Sequence, residues 1–252
     1  MSRPLCVTGA AFWPPAGATP GQASPEPEVP DGVDPRTVRR STRLGRLALG
    51  VASEALVQAR LTPPPEGTGL VVGTALADLD ETAGFLGGIH VRGARFASPQ
   101  FFQRSVHGAV AGELAILFGL RGFNLTVSEG LSSGEAALEA GALAVRAGRA
   151  ERCLIVAVDG RSQALTDALA ALGIEGGQGE GAAAVVLETE EGARSRGAEI
   201  LLRLEGVDAR RRPAPTVHTH GASSLCQLAR YASGVPGAAP PASVSVGSES
   251  PK

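Results

Sequence analysis

The sequence predicts an α/β fold in which a mostly parallel sheet lies between layers of helices. Two observations support this fold class. Apolar runs of strand length recur along the chain, and segments rich in alanine and leucine with helical spacing separate them. The chain has 252 residues, 43% of them hydrophobic, which is enough to bury one core of this kind. We therefore expect one domain over residues 1–252.

The predicted elements alternate in chain order. A helix over 106–120 has apolar residues at helical spacing and a glycine stop, and Glu135–Arg149 is rich in the helix formers alanine and leucine. Crowded proline, glycine and acidic residues make Pro14–Pro35 a surface loop. The strands are predicted at Gly69–Thr74, Phe123–Val127, Cys153–Val158 and Gly179–Glu188, and a final one in Ser243–Ser248.

A basic stripe is predicted on the helix that precedes Leu61. Its arginines recur at intervals that place them on one side of that helix, opposite an apolar face. Two interpretations stay open: contact with an acidic partner, or a solvated helix face, which is the commoner role of such residues. The members of the stripe are Arg36, Arg39, Arg40, Arg43 and Arg46.

Composition excludes several classes of function. A formal net charge of -2 gives no general attraction to nucleic acid, and no apolar run approaches the ~20 residues that span a bilayer. Three cysteines without C-x-x-C spacing are typical of a reducing compartment, so we expect a cytoplasmic protein. His218 and His220 lie two residues apart, which fits no usual zinc spacing, and we expect neither a metal nor a cofactor.

The most informative segment is a predicted elbow that follows the strand Phe123–Val127. Gly130 and Gly134 bracket a tight turn, and the next helix points its first amide groups back at this turn, an arrangement that stabilises an oxyanion. The turn is also a literal G-x-S-x-G motif. One hypothesis is therefore a serine hydrolase or acyltransferase, with Ser132 as nucleophile and with Asp159 or Asp167 and then His218 completing a triad.

The run Ser98–Gly134 resembles the beta-ketoacyl synthases of the thiolase superfamily. Four further segments are similar to strands of the family, in the same order: Leu5–Gly17 with its loop, Gly69–Thr74, Gly179–Glu188 and Ala193–Val207. This resemblance implies a thiolase-like layered fold that is truncated relative to a full ketosynthase, with 209–252 as a shrunken remnant of the second half. His218 lies where the family has its second catalytic histidine.

The resemblance implies a cysteine nucleophile at the position of Leu131. Leucine has no lone pair with which to hold an acyl chain, so Leu131 and His218 are interpreted as vestigial positions. A scaffold without its catalyst resembles the chain-length factor of type II polyketide and aryl polyene systems. The expected function is a non-catalytic subunit that forms a heterodimer with an active ketosynthase and shapes its acyl tunnel. A structural homodimer that binds acyl chains or carrier protein is the other alternative.

The resemblance also implies where partners bind. The strand Phe123–Val127 would pair across a two-fold axis, and a loop over Ser98–His107 would reach the partner's tunnel, within an interface of roughly 2,000 Å². An acyl carrier protein would contact the basic stripe through Arg36, Arg39, Arg40 and Arg43. The residues expected at the tunnel and the dimer interface are Phe101, Phe102, Gln103, His107, Phe123, Leu125, Val127 and Glu129.

Overall fold

A mixed sheet forms the centre of the structure. The computed structural model describes residues 3–13, 33, 35–173, 179–208 and 222–247. Its strands are β1 (Leu5–Trp13), β2 (Thr68–Gly73), β3 (Asn124–Val127), β4 (Arg152–Asp159), β5 (Gly181–Thr189), β6 (Leu202–Val207) and β7 (Val244–Val246). They lie side by side in the order β3-β2-β4-β5-β1-β6-β7. Each described strand overlaps a segment in which the sequence or the family resemblance predicts a strand.

Helices cover both faces of this sheet. They are α1 (Pro35–Val38), α2 (Arg43–Gln58), α3 (Leu79–Arg92), α4 (Pro99–Ser105), α5 (Ala109–Phe118), α6 (Ser133–Arg146), α7 (Gln163–Ala171), α8 (Glu190–Ser195) and α9 (Ser223–Ala232). One apolar cluster joins α2 and α5 to the sheet, and a second joins α6 and α9 to the opposite face. The predicted α/β fold with helices on both sides is therefore confirmed.

The expectation of mostly parallel pairing is wrong. β2 is parallel to β3 and β4, but β5 runs antiparallel to both β4 and β1, and β6 runs antiparallel to β1 and β7. The apolar runs reflect burial on both faces, and β4 and β5 are buried along almost their whole length. Burial of this kind is common in parallel sheets, yet it does not encode strand direction.

The segment 98–107 is helical where a loop was expected. Ser98 caps α4, because its hydroxyl accepts a hydrogen bond from the Phe101 amide at 3.4 Å, and Pro99 occupies the first helical position. A serine followed by proline is a favourable start for a helix, so the local sequence did contain this signal. None of the residues of α3, α4 and α7 is buried. These three helices form a surface at one end of the sheet.

The C-terminal part of the described chain packs on the same sheet. α9 lies against α6, β1 and β5, and β7 extends the sheet beyond β6. The final strand predicted in Ser243–Ser248 is confirmed, whereas 209–221, with His218 and His220, lie outside the described residues. The interpretation of 209–252 as a remnant stays a prediction. Of the predicted loop Pro14–Pro35, only Val33 and Pro35, the first residue of α1, are among the described residues.

Candidate functional site at the β3–α6 elbow

The predicted elbow is present between β3 and α6. A 3-10 turn over Gly130–Ser132 joins them, and Gly130 has φ +56°, a left-handed conformation that favours glycine. β2 passes directly beneath the turn. A Cβ at Gly73 would stand 2.4 Å from the Ser133 carbonyl oxygen, so only glycine allows this close approach.

Ser133 holds the elbow in shape. Its hydroxyl accepts a hydrogen bond from the Glu129 amide at 3.0 Å and donates one to the Gly130 carbonyl at 2.7 Å. Ser128 adds a contact to the loop after β2, since its hydroxyl donates to the Ala75 carbonyl at 3.2 Å. The G-x-S-x-G motif predicts a role for Ser132 only. The role of Ser133 in holding the turn was not predicted.

Leu131 lies at the tip of the elbow, where the resemblance places a nucleophile. Its side chain is 44% exposed. Cys6, Cys153 and Cys226 are buried in β1, β4 and α9, and burial is the main cause that raises the pKa of each thiol to about 12. The elbow therefore presents a hydrocarbon side chain, and the three cysteines are held as neutral thiols inside the fold.

The contacts of Asp159 give no support to a serine hydrolase. This aspartate ends β4, and its Oδ1 accepts hydrogen bonds from Thr74 Oγ1 at 3.0 Å and from the amides of Ala75 at 2.9 Å and Leu76 at 3.3 Å. It therefore holds the loop that follows β2. Ser132 is buried, and His218 lies outside the described residues. Asp167 accepts a hydrogen bond from Gln163 Nε2 at 2.8 Å on the exposed helix α7.

A buried carboxyl that the sequence analysis missed lies one helical turn beyond Leu131. Glu135 on α6 accepts a hydrogen bond from the hydroxyl of Ser224 on α9. Burial raises the pKa of Glu135, and the hydrogen bond from Ser224 lowers it by less. The sequence did contain a signal for this carboxyl, because Glu135 is a charged residue among the small residues that begin α6.

The predicted interface residues fall into two clusters. Phe101, Phe102, Gln103 and His107 are exposed on or just after α4, with the two rings 38% and 55% exposed. The second cluster lies at β3. Phe123 directly precedes this strand, Leu125 and Val127 are part of it, and Glu129 is exposed two residues after its end. The rings of Phe85 and Phe102 pack with centroids 5.4 Å apart.

β3 is the edge strand of the sheet among the residues that the structure describes. The Leu70 and Thr74 amides donate to the carbonyls of Phe123 at 2.7 Å and Val127 at 3.1 Å, so these groups point toward β2. Because backbone groups alternate along a strand, the N–H and C=O groups of Asn124 and Thr126 face away from the sheet.

Apolar side chains flank this open edge on both faces of the sheet. Ile116 of α5 and Leu143 of α6 are among the most exposed large hydrophobic residues described, and the sequence pattern did not predict this exposure. An open groove of about 380 Å³ runs between the end of β3, α6 and β6, lined by Val127, Glu129, Ala140, Leu143, Arg146 and Val207 among others. The edge strand and its surroundings thus form one extended, partly apolar surface.

The basic stripe does not lie on one helix as predicted. α1 ends at Val38 and α2 begins at Arg43 after the cap Thr42, so Arg36 belongs to α1, Arg39 and Arg40 follow it, and all three are exposed. Arg43 forms a two-point contact with Glu180, at 2.9 and 2.6 Å, and lies over the Trp13 ring at 5.7 Å. It is therefore tied into the fold.

Metal-binding clusters and membrane-spanning helices are both absent from the described part of the chain. No cluster of three histidine, cysteine, aspartate or glutamate side chains there is arranged to hold a metal ion. Of the helices described, none has the length and apolar character to cross a membrane.

Comparison with known proteins identifies the family. The model of the beta-ketoacyl synthase N-terminal domain matches residues 17–173, and the chain belongs to this family. It is 30% identical over 205 residues to polyketide beta-ketoacyl synthase 1 of Streptomyces halstedii, covering 69% of this chain and 49% of the relative. It is 27% identical over 222 residues to a mitochondrial 3-oxoacyl-acyl-carrier-protein synthase of Schizosaccharomyces pombe, covering 76% and 51%. The chain thus spans about half the length of these curated relatives.

Solved structures with the same fold include two ketosynthase assemblies. The AntDE:AntF complex, a type II polyketide synthase acyl-carrier protein with its ketosynthase bound to the hexaketide, aligns with a TM-score of 0.66 at 22% identity, covering 82% of this chain and 68% of that one. The ishigamide ketosynthase/chain length factor aligns with a TM-score of 0.63 at 19% identity, covering 86% and 66%. These matches establish the ketosynthase-type fold.

Proposed function

We propose that this chain is a non-catalytic ketosynthase-like subunit of the chain-length-factor kind, which pairs with a cysteine-bearing ketosynthase and shapes its acyl tunnel. The observation that carries the proposal is Leu131, an exposed leucine on an elbow whose backbone suits a nucleophile. Condensation requires a thiolate that holds the growing acyl chain. Because leucine has no lone pair, the acyl chain would be attached to the partner instead.

The open edge of β3 supports pairing with another subunit. A strand added at this edge would satisfy the outward backbone groups of Asn124 and Thr126 and would cover the exposed side chains of Ile116, Leu125 and Leu143. Obligate interfaces of this kind bury roughly 2,000 Å² or more. The partner would also cover the apolar surface of α3 and α4, which have no buried residue of their own.

The relatives supply the chemical class of the partner. One matching structure combines a ketosynthase with a chain length factor, and another combines a ketosynthase with its acyl-carrier protein. By analogy, this subunit would serve polyketide, aryl polyene or related acyl-chain synthesis. The exposed arginines Arg36, Arg39 and Arg40 would contact an acidic carrier protein.

Co-expression with the ketosynthase encoded nearest to its gene tests the proposal. We expect a stable one-to-one complex that elongates acyl chains, and no condensation by this chain alone. Thr126→Pro should abolish the complex, because proline removes an outward N–H of β3. Thr126→Val keeps that N–H and is the matched control.

Three results would contradict the proposal. Turnover of loaded acyl thioesters by the isolated chain would show that it is catalytic, and stoichiometric labelling of Ser132 by a serine-directed probe would indicate a hydrolase. Self-association through β3 without any binding of the ketosynthase would favour the structural homodimer.

A further inference from the structure

An open cavity lies at the end of the sheet where β1 begins. Its volume is about 320 Å³, at the lower end of the range of small-molecule sites. Two backbone hydrogen bonds frame it. The Glu190 amide donates to the Pro4 carbonyl at 3.0 Å, and the Gly247 amide donates to the Arg203 carbonyl at 3.1 Å. The charged side chains of its lining are Arg3, Arg146, Arg203, Glu190 and Glu205.

This cavity is separate from the elbow and from the edge strand β3. α6 begins at the elbow and ends at Arg146, and its 14 residues span about 20 Å at a rise of about 1.5 Å per residue. In the sheet, β2, β4 and β5 lie between β3 and the strand β1 that borders the cavity. Arg146 is shared with the groove beside β3, and the other lining residues are not.

Two of the arginines come together from distant parts of the chain. Arg3 precedes β1, and its Nη1 lies 3.9 Å from the Cβ position of Gly148, in the turn that follows α6. Arg146 Nη2 donates to the Glu205 carbonyl at 3.3 Å. Its Nε is buried and has no hydrogen-bond partner among the described residues. Because a guanidinium has five N–H donors, Arg146 keeps donors for a ligand.

The cavity has an excess of positive charge. Arg203 Nε lies 3.3 Å from Glu190 Oε1, and Arg194 Nη2 lies 3.3 Å from Glu190 Oε2, so two arginines offset this carboxylate. Glu205 is exposed, and water screens its charge. With Arg194 included, four arginines stand against two glutamates, which leaves a formal excess of two positive charges.

We infer that this cavity binds a phosphate group, held by Arg3, Arg146 and Arg203. Guanidinium groups donate paired hydrogen bonds whose geometry matches phosphate oxygens. A phosphate group carries close to two negative charges at neutral pH and offsets the excess of positive charge, whereas a carboxylate offsets half of it. The ligand is inorganic phosphate or a small phosphomonoester, which share this group. The proposed function makes no use of this site.

Titration calorimetry with the full chain tests the inference. We expect one phosphate group per chain, with a Kd of about 1 mM for inorganic phosphate or phenyl phosphate, the affinity of a few charge-assisted hydrogen bonds. Acetate should not bind in the same range. Tighter binding of phenyl phosphate would assign a phosphomonoester as the ligand, and equal or weaker binding would assign free phosphate. Acetate binding as tight as that of phosphate, or no binding of either phosphate, would overturn the inference.

Three variants locate the binding site. Arg3→Gln and Arg146→Gln should each weaken phosphate binding about tenfold, because each removes a charged donor. Arg149→Gln should leave the Kd unchanged, since Arg149 is exposed and does not line the cavity. Arg3 is also exposed, so its variant keeps the test valid if Arg146→Gln destabilises the fold. Equal Kd values for Arg3→Gln and Arg149→Gln would overturn the inference. No partner subunit is needed, so the outcome is independent of the proposed function.

Discussion

The carboxyl of Glu135 on α6 accepts a hydrogen bond from the hydroxyl of Ser224 on α9, in the buried space between the two helices. One acidic group thus connects the elbow helix to the C-terminal helix of the described chain. Burial makes its charged form unfavourable, so the connection depends on pH.

Glu135→Gln should remove a pH dependence of the free energy of unfolding. The pKa of Glu135 is raised above the ordinary value of a glutamate, so the folded state binds more protons than the unfolded state between these two pKa values. The stabilisation is therefore complete below the unfolded pKa and is lost as the pH rises through the folded pKa. Urea unfolding from about pH 4 to pH 8 should show this loss in the native chain and a smaller slope in the variant. Glu139→Gln, on the exposed side of α6, is the control, and equal slopes in all three proteins would contradict the prediction.

Arg196→Met should destabilise the fold by about 3 kcal/mol at neutral pH, the lower end of the cost of breaking a buried ion pair, because Arg152 still lies 3.8 Å from the Glu188 carboxylate. Arg196 contacts Glu188 at 2.5 and 3.0 Å, and Thr8 donates to the same carboxylate at 2.6 Å. Burial raises the pKa of Glu188, but the hydrogen bonds from Arg196 and Thr8 outweigh it and the pKa is lowered.

The ion pair of Arg196 and Glu188 makes the free energy of unfolding depend on pH in the opposite direction to Glu135. The stability it contributes is present above the unfolded pKa, near 4.5, and is lost as the pH falls through the lower folded value. Arg194→Met is the matched control. Arg194 forms an exposed ion pair with Glu190, which should be worth only about 0.5 kcal/mol. Urea unfolding at neutral pH should separate the two variants, and equal losses would show that Glu188 does not need its arginine.

Leu131→Cys should create a reactive thiol at the elbow. The native cysteines are buried and have pKa values of about 12, so the native chain should react slowly with iodoacetamide. A cysteine at residue 131 precedes the N-terminus of α6, where the helix dipole lowers a thiol pKa. We expect its alkylation at neutral pH to be about tenfold faster than that of Leu143→Cys, which places a thiol at an exposed position (67%) near the other end of α6. Equal rates would mean that the elbow does not activate a nucleophile.

Local sequence predicted most of the elements around the site. Glycines at 119 and 130 and the apolar run of 123–127 were enough to predict helix, strand and elbow in the right order. The start of α4 at Ser98 and Pro99 was also encoded locally and was missed. The ion pair of Arg43 could not be predicted from the sequence. Its partner Glu180 lies 137 residues away, and no periodicity connects the two residues.

The sequence by itself determined that Leu131 is the residue at the elbow. Leu131 lies between a strand and a helix, and both elements form because of residues that are close together in the chain. Only the tertiary structure decided that β5 runs antiparallel between β4 and β1, that β3 is an open edge, and that Arg3, Arg146 and Arg203 line one cavity. Apolar runs specify that a strand is buried. Its neighbours and their direction depend on contacts between residues that are distant in the chain, and no local pattern contains them.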